Sequence, residues 1–304
     1  MRVTLTGATG LVGSAVVAAL RERADEVTVL SRDPGRASAR LGEDVQAMRW
    51  DPHSEPAPAR ALAGRDAVVN LAGEPIAQRW SEQAKRAIRD SRVIGTHNLV
   101  EGLSELDAAA RPHVLVSSSA IGYYGARGGE PIDEEASAGA DFLARVCAAW
   151  ESEAQAAVAL GMRSVQLRTG VVLDRAGGAL EKMLPPFRLG VGGPVAGGRQ
   201  YVAWIHRDDL VGMVVAALDD VRWSGPINAT APEPVSNRAL SLALGRALHR
   251  PALLPVPGLA LRMLYGEMAE IVTTGVRAVP ARALVLGYEF KHPQLEGALR
   301  AALG

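Results

Sequence analysis

The turn that closes the first strand-like run constrains this chain more than any other feature. Arg2-Val3-Thr4-Leu5-Thr6 reads as a strand, and Gly7-Ala8-Thr9-Gly10-Leu11-Val12-Gly13 follows it without a spacer. Glycines at this spacing remove side chains where a backbone must pass close to a pyrophosphate. The helix that follows offers unpaired N–H donors and the positive end of its dipole. Val12, Val16, Val17 and Leu20 give that helix an apolar stripe. Strand, glycine turn and helix in this order predict a dinucleotide seat.

The same rhythm continues downstream. Runs 2–6, 27–31, 45–49, 67–71, 113–118 and 164–169 are apolar and rich in Val or Leu, and the segments between them are mostly helical. This predicts an α/β fold with a doubly wound parallel sheet. Residues 81–106 open on Ser81-Glu82-Gln83-Ala84, which resembles an N-cap, and place Ala84, Ile88, Val93 and Leu99 on one apolar face. Residues 141–160 read as a second helix, closed by Gly161.

After Gly170 the alternation breaks down into Pro185-Pro186, a Gly-rich loop from Gly190 to Gly198 and several Pro-rich joints. We therefore divide the chain into a dinucleotide-binding domain, 1–170, and a smaller mixed α/β substrate lobe, 171–304. The lobe holds helices near 207–219, 236–249, 258–266 and 292–303, and a strand at 226–230 that can return to the main sheet. The Gly190–Gly198 loop is expected to close over ligand.

Bulk composition narrows the partners. Thirty-three basic residues balance thirty-three acidic ones, so no global field attracts nucleic acid or an anionic membrane. The expected partner is a small-molecule substrate, taken by a monomer or homodimer. Cys147 is the single cysteine, which rules out an internal disulfide, suits a reducing compartment and makes the cytoplasm the default location. Cys147 itself reads as a buried core thiol. No long apolar run reads as a membrane span. The histidines lack metal-like spacing with Cys, Asp or Glu, so no structural zinc is expected.

The end of the second strand indicates which dinucleotide. A NAD-selective fold commonly places an acidic residue there for the ribose hydroxyls, whereas this chain has Ser31-Arg32. A hydroxyl and a guanidinium suit a 2′-phosphate, so NADP(H) is favoured over NAD(H). The other reading is a solvated turn continued by Asp33 and Pro34.

These motifs, with Asn70-Leu71-Ala72-Gly73 after the fourth strand and Ser117-Ser118-Ser119-Ala120 after the fifth, resemble the extended short-chain dehydrogenase/reductase family. Gly73-Glu74-Pro75-Ile76, Ala120-Ile121-Gly122-Tyr123-Tyr124-Gly125, Trp204-Ile205-His206 and Asn228-Ala229-Thr230-Ala231-Pro232 are similar to one atypical subgroup. Its members are NAD-dependent epimerase/dehydratase-like proteins with a C-terminal domain of unknown function, here about 253–300. The resemblance implies a Rossmann-type sheet and an NADP-type cofactor. Gly7, Thr9, Gly10, Leu11, Val12 and Gly13 would line the pyrophosphate, and Ser31 and Arg32 the 2′-phosphate. Leu71, Ala72 and Gly73 would line the adenosine or ribose side. Ser117 would join the cofactor set, and Arg168 and Gly170 would lie near the nicotinamide.

The family's chemistry depends on a YxxxK pair, in which the lysine holds a ribose hydroxyl and lowers the tyrosine pKa. Here Phe142 and Val146 occupy the pair, or Leu143 and Cys147 if the alignment slips by one. Ser119 matches the serine that steadies a substrate oxygen. One of Tyr123 and Tyr124 would present its phenol while the other packs in the core, and His206 is a titratable alternative that otherwise caps a helix. Trp80, Phe187, Arg188, Gln200, Tyr201 and Trp204 form a mixed apolar and polar substrate set. Two functions follow as expectations. The first is an NADP(H)-binding epimerase/dehydratase-like oxidoreductase acting on a small molecule, and the second is a non-catalytic NADP(H)-binding sensor or docking protein.

Overall fold

The computed structural model describes residues 1–42 and 44–304. Its main sheet contains β1 (Arg2–Thr6), β2 (Glu26–Ser31), β3 (Gln46–Arg49), β4 (Ala67–Asn70), β5 (Val114–Ala120), β6 (Arg163–Thr169) and β7 (Gly225–Ala229). Their order across the sheet is β7-β6-β5-β4-β1-β2-β3, with every pairing parallel. The direction of winding reverses between β1 and β4, and in open α/β sheets ligands settle at the carboxyl ends of the strands beside such a reversal.

The longer helices are α1 (Leu11–Glu22), α2 (Pro34–Leu41), α3 (Glu82–Ser104), α4 (Phe142–Gln155), α5 (Gly178–Arg188), α6 (Arg207–Asp219), α7 (Asn237–Ala247), α8 (Gly258–Tyr265) and α9 (Leu295–Leu303). Two of their starts follow directly from sequence. Ser81 accepts the Ala84 N–H at 3.1 Å to begin α3, and Asp141 accepts the Ala144 N–H at 2.9 Å to begin α4.

Alternation along each strand then divides the core in two. Val3, Leu5, Val114 and Val116 pack with Val16, Val17 and Leu20 of α1 and with Leu210, Met213 and Val214 of α6. On the other face, Val68 and Leu115 meet Leu99 and Leu103 of α3 and Ala154 of α4. Each large side chain buried in this way contributes about 1.5–3 kcal/mol.

The carboxyl-terminal part divides less cleanly than a boundary at residue 170 suggests. β7 pairs with β6 and extends the main sheet, and α6 covers the same face as α1. A separate cluster of Leu173, Leu180, Leu184, Phe187, Trp204, Leu240 and Leu299 holds the rest together. Gly192, Gly193 and Gly198 of the Gly190–Gly198 loop are buried, whereas Val191, Ala196 and Gly197 are exposed. A side chain at Gly193 would meet the Leu254 backbone, and one at Gly198 would meet Pro194 and Arg238. Close chain crossing accounts for those two glycines without a ligand.

Candidate functional site

The three glycines after β1 have different duties. Gly7 has φ of +69°, and a Cβ there would come within 2.5 Å of the Leu71 carbonyl carbon. A side chain at Gly13 would run into the Gly7 carbonyl oxygen. Both positions are fixed by the protein's own backbone. Gly10 is exposed, and the nearest atom to a Cβ there is the Gly7 oxygen at 3.3 Å. Gly10 is also the N-cap of α1, and no side chain caps that helix. Every helix starts with N–H groups that lack an internal acceptor, and α1 presents them at the sheet's switch point. The combination fits a dinucleotide phosphate, with Thr9, Leu11 and Val12 half-buried around it.

The flanking positions are shaped by short hydrogen-bonded turns. Thr6 Oγ1 donates to Asn70 Oδ1 at 2.7 Å and accepts the Ala72 N–H at 3.2 Å, which ties Leu71, Ala72 and Gly73 to the glycine turn. Ser31 Oγ accepts the Asp33 N–H at 3.2 Å, and Asp33 in turn caps α2 by accepting from Arg36 N. Asp33, which follows the Ser31-Arg32 pair, is thus committed to a helix start. Arg32 is exposed and joins none of the ion pairs among the described residues.

At the ends of β5 and β6 the polar groups satisfy one another. The register sets Ser119 opposite Arg168, and α4 lays Leu143 and Cys147 against Gly122, with Glu151 one turn further on. Ser119 Oγ donates to Glu151 Oε1 at 2.6 Å. Arg168 grips the same carboxylate side-on, Nε to Oε1 and Nη2 to Oε2, both at 2.8 Å. Its Nη1 donates to the Tyr124 hydroxyl at 3.0 Å, and that hydroxyl donates to Asn228 Oδ1 at 2.6 Å. Glu134 completes the cluster by accepting the Asn228 N–H at 2.9 Å.

This network shifts the protonation of its members. Burial alone would lower the Arg168 pKa, but the hydrogen bonds and charge of Glu151 raise it overall. Burial pushes Tyr124 up to about 12 against the pull of Arg168, and pushes the Cys147 thiol up to about 12 as well. Burial also raises the Glu134 carboxyl, opposed by its backbone N–H donors.

Burial and packing locate the remaining residues singled out from the sequence. Tyr124 is wholly enclosed, so it is the tyrosine that packs in the core, and Tyr123 is the one left half-buried. The Tyr123 ring lies over the Arg168 guanidinium, 3.5 Å from centroid to Cζ. Ser117 is fully buried and donates to the Ser118 carbonyl at 3.2 Å, which removes it from a cofactor surface. Arg168 is held inside by Glu151. A Cβ at Gly170 would meet the Ala203 carbonyl oxygen at 2.6 Å, so a side chain is excluded there by the protein's own backbone, and Gly170 stays half-buried.

In the substrate set, Trp204 is a core residue. It is buried, and its indole N–H donates to the Glu233 carbonyl at 3.1 Å. Phe187 is buried in the same cluster. Arg188 is exposed, and its carbonyl accepts from Arg250. Trp80 and Phe142 do come together edge to face at 5.2 Å, beside Lys85, which pairs with Glu267. Tyr201 lies under Arg277 at 5.0 Å.

His206 caps α6 rather than facing a cleft. Its Nδ1 accepts the Asp208 N–H at 3.1 Å, and burial, then neighbouring His292, lower its pKa. Potential ligand atoms of His206, Asp208 and His292 lie within 4.8 Å of one another. With Nδ1 committed as an acceptor, however, the other ring nitrogen of neutral His206 carries the proton and cannot bind metal. Asn228 entered the sequence reading only within a family-like motif, and Glu151 and Glu134 escaped it. Of those two, Glu151 alone left a trace, as the third member of the Leu143, Cys147, Glu151 spacing.

Comparison with known proteins agrees with this architecture. The profile described as the NAD dependent epimerase/dehydratase family matches residues 3–229. A second profile, a domain of unknown function (DUF1731), matches residues 256–302, close to the expected 253–300. The Arabidopsis thaliana protein named "Epimerase family protein SDR39U1 homolog, chloroplastic" is 41% identical over 304 residues, covering 100% of this chain and 87% of that protein. An epimerase family protein of Mycobacterium bovis is 42% identical over 299 residues, 98% of this chain and 96% of the relative. The crystal structure of human epimerase family protein SDR39U1 (isoform2) with NADPH superposes with a TM-score of 0.88 at 33% identity, covering 100% of both chains. Among the described residues no helix is long and apolar enough to cross a membrane.

Proposed function

The chain belongs to the NAD dependent epimerase/dehydratase family, and from that membership we propose that it is an NADP(H)-dependent, epimerase-like oxidoreductase acting on a small molecule without a YxxxK dyad. The observation that carries the reading is the uncapped start of α1 beside exposed Gly10. Unsatisfied N–H groups aimed at a side-chain-free surface attract a diphosphate. Ser31 and Arg32 at the end of β2 favour the 2′-phosphorylated form, since a guanidinium matches phosphate geometry. The relative crystallised with NADPH supports the same preference.

When bound, the nicotinamide supplies hydride donation or acceptance at its C4. The protein's part is to orient the substrate and handle one proton. Ser119 gives its own proton to Glu151, so it can only accept from a ligand while that bond lasts. Tyr123 remains as the phenol able to hold or release a proton, with its ring oriented by Arg168. Trp80 and Phe142 offer flat apolar walls. The single buried thiol suits a reducing compartment such as the cytoplasm, although one relative is named chloroplastic.

Calorimetric titration with NADPH and NADH tests the cofactor assignment. Wild-type protein is expected to prefer NADPH. Arg32→Ala should weaken NADPH by roughly tenfold or more while leaving NADH within about twofold, the loss of one charge-assisted pair. Equal affinity for both nucleotides, or binding of neither, overturns the assignment.

A further inference from the structure

Arg92 on α3 is a cation with unused donors. Its Nη1 donates to the carbonyls of Glu74 and Ile88, both at 3.0 Å, and to Ser91 Oγ at 3.5 Å. All three acceptors are neutral. Among the described residues Arg92 forms no ion pair, and neither Nε nor Nη2 has a partner. The enclosed polar atoms without partners belong to Asp25, Arg65, Arg111 and Arg277, so the free edge of Arg92 keeps an open side. Burial lowers its pKa, opposed by Cys147 and then by the Glu74 charge from beyond ion-pair distance.

The surroundings hold that edge at the reaction corner. The guanidinium carbon lies 5.3 Å from the Trp150 ring centroid. A Cβ on Gly73 would come within 3.2 Å of both Cζ and Nη2 of Arg92. Gly73 has no left-handed backbone, and a methyl there would press on the guanidinium. The Arg92 charge is also felt by Cys147, one helical turn before Glu151. Nε and Nη2 form the same side-on fork with which Arg168 holds Glu151. In one arginine the fork is met by a carboxylate of the protein, and in the other no protein group among the described residues meets it.

We propose that Arg92, cradled between Gly73 and Trp150, recognises a carboxylate or phosphate on the substrate through its Nε–Nη2 fork. This rests on the cofactor assignment above and deepens it: the substrate class is anionic. A planar fork with two donors matches either group. Because Glu151 already neutralises Arg168, Arg92 is left to set the charge preference of the corner.

The test uses protein saturated with NADPH and titrated with oxalate and, separately, inorganic phosphate, read by calorimetry and thermal shift. Wild-type protein should bind at least one of them, and Arg92→Gln should weaken that binding roughly tenfold or more. The affinity for NADPH itself should stay within about twofold. Arg92→Lys should retain part of the anion affinity, because it keeps charge without the fork. Gly73→Ala, titrated without nucleotide because Gly73 also borders the expected cofactor seat, should lower it by displacing the guanidinium, and this arm stands even if Arg92→Gln fails to fold.

A fall in NADPH affinity matching the fall in anion affinity would mean that the fork serves the cofactor's diphosphate, and the proposal fails. It fails equally if wild type and variants bind the anions alike, or if no anion binds. Should NADPH not bind wild type, the cofactor assignment falls by itself, and the anion titrations without nucleotide still read Arg92.

Discussion

The glycine turn and the Ser119 corner sit at the same carboxyl edge of one sheet, yet they treat their polar groups in opposite ways. At the turn, the α1 amino end has no capping side chain and Arg32 has no ion pair among the described residues. At the corner, Ser119, Glu151, Arg168, Tyr124 and Asn228 consume one another's donors and acceptors. Buried polar groups must be satisfied by something. Exposed donors without protein partners stay available to a ligand, whereas a corner whose buried groups satisfy one another holds its shape. The corner therefore resembles a rigid floor, with the half-buried Tyr123 ring lying over Arg168 at its edge.

The harshest way to break this contrast is to open the floor. Arg168→Met strands the Glu151 carboxylate, whose side chain is 12% exposed, and should cost about 3–5 kcal/mol in urea unfolding. The double variant Arg168→Met/Glu151→Leu should recover most of that loss, since the unpaired charge is gone. A single-variant cost below about 1 kcal/mol would show that solvent already reaches the pair, and the distinction between floor and seat would dissolve.

The glycines sharpen the contrast from the other side. Gly7→Ala forces a side chain into a left-handed backbone and against Leu71, and should destabilise by about 2–4 kcal/mol. Gly10→Ala meets one oxygen at 3.3 Å and should change stability by less than about 1 kcal/mol. Its NADPH affinity should nonetheless fall roughly tenfold or more, because its methyl would occupy the phosphate's approach. Thermal melts with and without NADPH separate the two effects. Equal behaviour of the two variants would count against a ligand-facing Gly10.

The turn was legible because its parts are contiguous. Strand, glycines and helix follow one another within thirteen residues, and the parallel sheet follows from repeating that pattern. The corner was not legible, because it depends on register and rotation. Ser119 meets Arg168 only through the alignment of β5 with β6, and Glu151 reaches both only because α4 turns the Leu143, Cys147, Glu151 stripe toward Gly122. Sequence identified Tyr123 and Tyr124 as a pair with one member buried. Only packing against Asn228, from a strand a hundred residues away, decides which. Trp204 was misplaced because an aromatic beside loop residues suits a pocket and a core equally well.

Tyr124 gives the finest measure of how closed the floor is. Tyr124→Phe removes the bond to Asn228 and the one from Arg168, and should cost about 1–3 kcal/mol at neutral pH. Arg168 Nη1 keeps the Glu134 carbonyl at 3.2 Å, which places the cost toward the lower end. The folded phenol is held at about 12, above its ordinary value of 10.0, chiefly by burial. Between those values the folded state keeps a proton that the unfolded chain has released. Its contribution is complete below pH 10 and drains away as pH rises toward 12. The gap between wild type and Tyr124→Phe in urea midpoints should accordingly narrow once pH passes about 10. A gap that stays constant across that window would mean the phenol titrates normally, and that water reaches the base of the corner.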